Sequence, residues 1–112
     1  MTDPTSDVNH VPQASTREVL RLELVGLAAE IMTLARLNEQ QAMRAPQPVA
    51  RAFRARIDRH VKNSAALLSA PGFLVLSEPA LQEWRTVLQQ DQQEMQRIHY
   101  ETSVCAPRER QR

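Results

Sequence analysis

The 112-residue sequence has few of the residues on which whole classes of function depend. Its two glycines, Gly26 and Gly72, lie too far apart to form a Gly-rich phosphate loop or a dinucleotide-binding fingerprint, since both need clustered glycines. Its single cysteine, Cys105, excludes an internal disulfide and a zinc site built from several cysteines. The sequence therefore argues against these nucleotide-binding enzymes, and its cysteine usage fits a reducing compartment.

Long apolar runs and a strong net charge are also missing. The longest apolar stretch, residues 24–35, contains Glu30 and is shorter than the roughly 20 residues that a membrane-spanning helix needs. Residues 1–13 are polar and contain Asp3 and Asp7, unlike a secretory signal. A net charge of +1 implies no general attraction to nucleic acid or anionic lipid. We expect a cytoplasmic protein with no membrane partner.

Apolar residues at alternating spacings of three and four predict an all-α fold. The predicted helices span about residues 15–43, 49–69 and 78–104. Short connections place consecutive helices antiparallel, so we expect an up-down-up three-helix bundle over residues 15–105. Residues 1–14 and 106–112 are expected to be a flexible arm and tail, because they offer little apolar area to offset the entropy of ordering.

Local signals set the ends of these helices. Ser15 and Glu18 match a capping box at the start of the first helix. Pro48 suits the first turn of the second helix, and Ser77 is the predicted N-cap of the third. The apolar residues 73–76 are predicted to be a buried linker, because no second strand exists with which they could pair.

The same spacing predicts which residues face the core. For the first helix they are Leu20, Leu24, Leu27, Ile31 and Leu34. For the second they are Val49, Phe53, Ile57, Val61, Ala65 and Leu68, and for the third Leu81, Trp84, Leu88, Asp91, Met95 and Ile98. Asp91 is the only polar member of the third set: it either specifies register or partner choice, or marks a level at which that row turns to solvent. We favour the second interpretation, because glutamines and acidic residues surround Asp91.

A second apolar row on the first helix predicts self-association. It consists of Leu22, Val25, Ala29 and Met32. Two bundles could bury these residues across a two-fold axis, so a homodimer is one expected assembly.

The basic second helix is the first candidate for partner binding, since residues 45–70 carry a net charge of +4 while residues 71–104 carry −3. The candidate partner-binding residues are Arg51, Arg54, Arg59 and Lys62 on this helix and Gln89, Gln93 and Gln96 on the third. The basic residues share one arc of the helix, opposite Phe53 and Ile57. Their functional interpretation is contact with an acidic partner or with phosphates. The alternative, which we favour because charged helix exteriors are the rule, is an ordinary solvated face partly neutralised by the third helix. No aromatic residues lie among them, which argues against base stacking.

No catalytic, metal or cofactor site is predicted. The sequence contains neither an HExxH motif nor a Glu-x-x-His pair, so two metal ligands are not brought to one helical face. His60 and His99 are expected to be structural. Cys105 lies near a chain end that supplies no rigid site for a nucleophile, although a disulfide-linked dimer stays open.

These observations favour a small non-catalytic interaction module that acts by stoichiometric binding of another protein. An inhibitor, an immunity-like or antitoxin-like protein, a chaperone and a regulatory adaptor all belong to this class. The alternative is a nucleic-acid-binding regulator that uses the basic helix at residues 49–69. An enzyme is the third hypothesis, and it requires a pocket with convergent polar groups.

Overall fold

Three α-helices and one short 3-10 helix form the computed structural model, which describes residues 16–105. Helix α1 spans Thr16–Ala42, α2 spans Gln47–Ser69, the 3-10 helix spans Pro71–Val75 and α3 spans Glu78–Cys105. No residue in this range forms a strand and the three helices pack against each other, so the all-α prediction is confirmed. The predicted arm, the tail and the Ser15 cap lie outside the described residues. Within the same range, no helix has both the length and the apolar character to cross a bilayer.

The starts of α2 and α3 lie at or close to their predicted positions. α2 begins at Gln47, two residues before its predicted start, and Pro48 lies in its first turn. At the start of α3, Ser77 Oγ accepts a hydrogen bond of 3.4 Å from the backbone N–H of Ala80, as an N-cap residue does. The Ser77 cap is therefore confirmed.

The apolar segment before α3 is only partly buried. Phe73 is buried, but Val75 is 76% exposed, so the prediction of a buried linker was wrong for Val75. Residues 73–75 belong to the 3-10 helix, and a 3-10 helix has about three residues per turn. Consecutive apolar residues in such a turn cannot all face one core.

The buried row of α1 contains alanines that the predicted row did not include. Leu20, Leu24 and Ile31 are buried as predicted. Ala28 and Ala35 are also buried, whereas Leu27 and Leu34 pack against the edge of the core and are only partly buried. Small alanine side chains at the centre of the buried row let the neighbouring helices approach α1 closely, and the larger leucines fill the sides.

The second half of α2 buries other residues than the sequence pattern predicts. Phe53 and Ile57 are buried, but the row then continues through Ser64 and Leu67. The predicted row stepped mainly by four residues, and each such step turns about 40° further around a helix. The row therefore leaves the core at both ends. Val49 at its start and Ala65 and Leu68 at its end are exposed, and Val61 is half-buried.

The buried row of α3 agrees with its predicted heptad pattern. Leu81, Leu88, Met95 and Ile98 are fully buried, and Trp84 is half-buried against the core. Asp91 is also buried, with 6% of its surface exposed.

Polar contacts join the helices along their whole length. Arg85 near the start of α3 donates to Glu23 near the start of α1 at 3.3 Å. Towards the end of both helices, Asn38 of α1 donates to the carbonyl oxygen of Met95 at 3.1 Å. α2 contacts α3 through further hydrogen bonds, which join Arg56 to Glu101 and join His60 and Asn63 to Asp91.

Candidate partner-binding site

Four basic side chains lie on the outer face of α2, opposite its buried residues. We call this group the basic face, and it consists of Arg51, Arg54, Arg59 and Lys62, all of which are exposed. At about 100° per residue, their spacings of three, five and three keep them within an arc of about 140°. Phe53 and Ile57 anchor the opposite side of α2 in the core. The fold therefore holds the basic face toward solvent.

The basic face is not neutralised by α3. Among residues 16–105, none of its four members forms an ion pair. The neighbouring Arg56 does so, because it lies on the side of α2 that contacts α3. Its Nη1 donates to Glu101 Oε1 at 2.6 Å and its Nη2 donates to Oε2 at 3.4 Å. Of the basic residues of α2, Arg56 is thus the one that pairs with a glutamate of α3, and it lies outside the basic face.

The Arg56–Glu101 pair also changes the acid–base properties of both groups. Their hydrogen bond raises the pKa of Arg56 and lowers the pKa of Glu101 below its ordinary value. The guanidinium carbon of Arg56 lies 5.9 Å from the centroid of the Phe53 ring, within range of a cation–π contact. Arg56 is therefore part of the packing between α2 and α3.

One acidic residue interrupts the basic face. Asp58 is exposed and lies four residues from both Arg54 and Lys62, a spacing at which helical side chains come within reach of each other. Asp58 reduces the formal charge of the surface from four positive charges to three. A protein partner that presents both acidic and basic groups can satisfy this arrangement, whereas phosphates would be repelled by the Asp58 carboxylate.

The three candidate glutamines lie on another helix. Gln89, Gln93 and Gln96 are exposed on the outer face of α3, spaced by four and three residues. No hydrogen bond in the described part of the chain joins them to the basic face. They form a neutral donor and acceptor surface on a different helix from the basic face, and the fold does not bring the two sets together into one contact.

Asp91 lies in a buried polar cluster between α2 and α3, so the favoured interpretation that its row turns to solvent was wrong. The His60 Nδ1 donates to Asp91 Oδ1 at 3.0 Å, and the Asn63 Nδ2 donates to Oδ2 at 3.1 Å. Both carboxylate oxygens are thus bonded. The pattern around Asp91 misled because α2 supplies His60 and Asn63, and a one-helix pattern cannot show a partner from another helix.

A second polar cluster joins the ends of α1 and α3. Asn38 is fully buried, and its Oδ1 accepts a hydrogen bond of 2.9 Å from His99 Nδ1 while its Nδ2 donates to Met95. One turn further, the hydroxyl of Thr102 lies 2.8 Å from Gln41 Oε1, and that of Ser103 lies 3.3 Å from the same atom. His60 and His99 both have the structural surroundings expected for them.

The buried polar residues Asn38, Ser64 and Thr102 were missed by the sequence analysis. Each one continues the spacing of an apolar row: Asn38 lies seven residues after Ile31, Ser64 seven after Ile57 and Thr102 four after Ile98. Extending the rows through polar positions would have found them. The Ser64 hydroxyl is buried and has no hydrogen-bond partner in the part of the chain that the structure describes.

The predicted self-association residues of α1 are largely accessible. We call Leu22, Val25, Ala29 and Met32 the α1 stripe. Leu22 is 65% exposed and Val25 is 40% exposed, while Ala29 is exposed and Met32 half-buried. The core of this bundle therefore leaves most of the α1 stripe uncovered.

A metal centre and a reactive cysteine are the remaining kinds of site. Within the described range, no group of three or more histidine, cysteine, aspartate or glutamate side chains could hold one metal ion. Cys105 ends α3, and its side chain lies outside what the structure describes. Comparisons of the chain with protein-family models, with curated proteins and with solved structures found no match.

Proposed function

We propose that this chain is a non-catalytic regulator that binds another protein in a stoichiometric complex, with the basic face of α2 as the main contact. The observation that carries the proposal is the exposure of Arg51, Arg54, Arg59 and Lys62 without ion pairs among residues 16–105. The Arg56–Glu101 pair shows that this helix does bind carboxylates where they are within reach. An acidic partner surface would supply the carboxylates that the basic face lacks.

The chemistry of the basic face suits an acidic protein surface. Arginine binds carboxylates through two parallel hydrogen bonds, so three arginines on one rigid helix can select a particular arrangement of acidic groups. Charge complementarity would also accelerate association and make the complex sensitive to salt. Gln89, Gln93 and Gln96 would add hydrogen bonds for a partner large enough to reach α3.

The test is capture of a partner from nuclease-treated extract of the source cells with matched charge variants. The double substitution Arg51→Glu and Arg54→Glu should abolish recovery of one protein that the unaltered chain retains at about one copy per chain. The control is Arg17→Glu with Arg44→Glu, which makes the same change of net charge at exposed positions outside the basic face. The recombinant captured protein must then bind directly and more weakly at high salt. Equal recovery by both variants would refute the role of the basic face.

A nucleic-acid-binding regulator is the second candidate, because the same four unpaired cations could contact phosphates along the helix. Asp58 within the face weighs against it. Gel retardation of duplex DNA and of RNA at several salt concentrations distinguishes the two. Retardation that falls steeply with salt and disappears in the Arg51→Glu, Arg54→Glu variant would favour nucleic acid as the partner. If neither DNA nor RNA is retarded, a protein partner is the remaining candidate.

We also propose that the helices run up, down and up, and that the protein forms a homodimer in the cytoplasm. The contacts of α1 with α3 support the first part, because Glu23 pairs with Arg85 near both starts and Asn38 with Met95 near both ends. For α2 the order is reversed, since Arg56 contacts Glu101 while Asn63 contacts Asp91. The exposed α1 stripe supports the homodimer, and the single cysteine is consistent with a reducing compartment.

A further inference from the structure

The α1 stripe is the middle of a longer heptad row with an opposite charge at each end. Glu18 lies four residues before Leu22, and Arg36 lies four residues after Met32, so the row runs through positions 18, 22, 25, 29, 32 and 36. Its alternating spacings of four and three keep it on one side of α1. The row is about 27 Å long, which is enough for several turns of helix to pack side by side.

We propose that a second copy of this chain packs on the α1 stripe with the two α1 helices antiparallel, and that Glu18 and Arg36 select this orientation. The proposal rests on the self-association proposed above and specifies its geometry. It does not depend on partner binding by the basic face, which lies on α2.

The spacing of the row is symmetric about residue 27. A two-fold axis there places Leu22 opposite Met32 of the second copy, and Val25 opposite Ala29. Each contact occurs twice, and each buries an apolar side chain that the single chain leaves wholly or partly exposed. These contacts favour association but do not by themselves choose between parallel and antiparallel helices.

The charges of Glu18 and Arg36 at the ends of the row favour the antiparallel orientation. In the antiparallel arrangement, Glu18 of each copy lies opposite Arg36 of the other, which makes two attractive pairs. In the parallel arrangement, Glu18 faces Glu18 and Arg36 faces Arg36, which makes two repulsive ones. Both groups are accessible. Glu18 forms an ion pair with Arg21 of its own helix, but its side chain is 53% exposed and its second carboxylate oxygen can accept from a further cation. Arg36 is exposed and has no ion pair among the described residues.

Gly26 is an independent indication that something approaches this side of α1. A glycine in the interior of a helix costs stability relative to alanine. Among residues 16–105, nothing within 4 Å would contact a Cβ at Gly26, and its backbone has no positive φ. The described part of the chain therefore gives no reason for glycine there. Gly26 is exposed, next to Leu22 and Ala29 in helical space, and one residue from the proposed axis, where two backbones come closest.

Sedimentation equilibrium of the purified chain and its charge variants tests the proposal. We expect a dimer whose dissociation constant rises about tenfold with Arg36→Glu or with Glu18→Arg, because two symmetry-related pairs change from attraction to repulsion. The double variant that carries both reversals should return to within about threefold of the unaltered chain, since opposite charges face each other again. Glu30→Arg, an exposed reversal off the row, is the matched control and should have no effect.

An apolar pair of variants tests the stripe separately from its orientation. Leu22→Glu should weaken dimerisation about a hundredfold, because it places a charge inside the contact. Leu68→Glu, at a position 46% exposed on α2, should not. Thermal unfolding followed by circular dichroism confirms that each variant stays folded.

Three outcomes would overturn the proposal. A chain that stays monomeric at high concentration refutes self-association, and a fall in its thermal stability with Leu22→Glu would assign the stripe to a segment of the same chain instead. A monomer with unchanged stability would assign the stripe to another protein. A dimer whose dissociation constant is unchanged by either single charge reversal would refute the antiparallel orientation alone, because in a parallel dimer each reversal replaces one like-charge pair by another. None of these results bears on the capture experiment at the basic face.

Discussion

The Asp91 carboxylate is the centre of a buried polar contact between α2 and α3. It is buried, and it accepts hydrogen bonds from two side chains of α2, His60 and Asn63. A buried carboxylate in an otherwise apolar row costs stability unless its oxygens are bonded. With both oxygens bonded, the cluster favours one register of α2 against α3, since a slip of one turn would break both bonds.

We predict that Asp91→Ala lowers the free energy of unfolding by about 2–3 kcal/mol, because it leaves His60 and Asn63 without their acceptor and opens a cavity. Asp58→Ala, which removes an exposed carboxylate, should change it by less than about 0.5 kcal/mol. Urea unfolding followed by circular dichroism measures both. Equal effects of the two substitutions would show that Asp91 is not a structural acceptor.

The Arg56–Glu101 pair gives a prediction about acid. The hydrogen bond from Arg56 lowers the pKa of Glu101 in the folded chain below the value of 4.5 for a free glutamate. The pair therefore stabilises the folded state fully above pH 4.5, and its contribution is lost as the pH falls through the lower, folded pKa. Both side chains are about one-third exposed, so solvent screening keeps the contribution small.

Urea unfolding between pH 2.5 and 6 should therefore show a shallower loss of stability for Glu101→Gln than for the unaltered chain. Arg56→Gln should give the same flattening, because it removes the cause of the lowered pKa. The double variant should add nothing to either. An unaltered acid slope in all three variants would contradict the assigned pair.

At the scale of the helix, the buried side of α2 is where the structure differs most from the prediction. Leu67 is 1% exposed and Leu68 is 46% exposed, although the sequence pattern placed Leu68 in the core. We predict that Leu67→Ala costs about 2–4 kcal/mol of unfolding free energy and Leu68→Ala less than about 1 kcal/mol. Thermal or urea unfolding of the two variants checks this, and the reverse order would restore the row predicted from sequence.

The sequence predicts the helices well because their signals are local. Pro48, Ser77 and the repeats of α1 and α3 need no information from elsewhere in the chain, and the observed helices begin and end close to the predicted positions. The side of α2 that is buried depends on where α1 and α3 lie, which one helical repeat does not contain. That is why Leu68 was misplaced and Ser64 missed.

For the candidate site, the sequence predicts which residues are exposed but not which of them form ion pairs. The exposure of the basic face and of the α1 stripe follows from their spacing, and the residues named in advance are the ones that the fold places outward. Which cations are paired could not be predicted. Arg56 and Arg54 differ by two positions, and only the packing of α2 against α3 brings Glu101 to one of them.

At the scale of the whole molecule, the two proposed contacts lie on different helices. The basic face is on α2 and the α1 stripe is on α1, so the two proposed contacts share no residue. A dimer that keeps both basic faces accessible would present two binding sites, and a divalent partner would bind it more tightly than one site allows. The polar clusters that join α3 to the other helices hold these surfaces in a fixed relation.

Site-specific photo-crosslinking in the source cells tests the central claim most directly. Ala55 is exposed in the middle of the basic face, so a photo-crosslinking amino acid there removes none of its charges. The same label in place of Glu83, exposed on α3, is the control. We predict one discrete protein adduct from position 55 that is resistant to nuclease and does not form from position 83. No adduct from position 55, or the same adducts from both positions, would contradict a partner-binding role for the basic face.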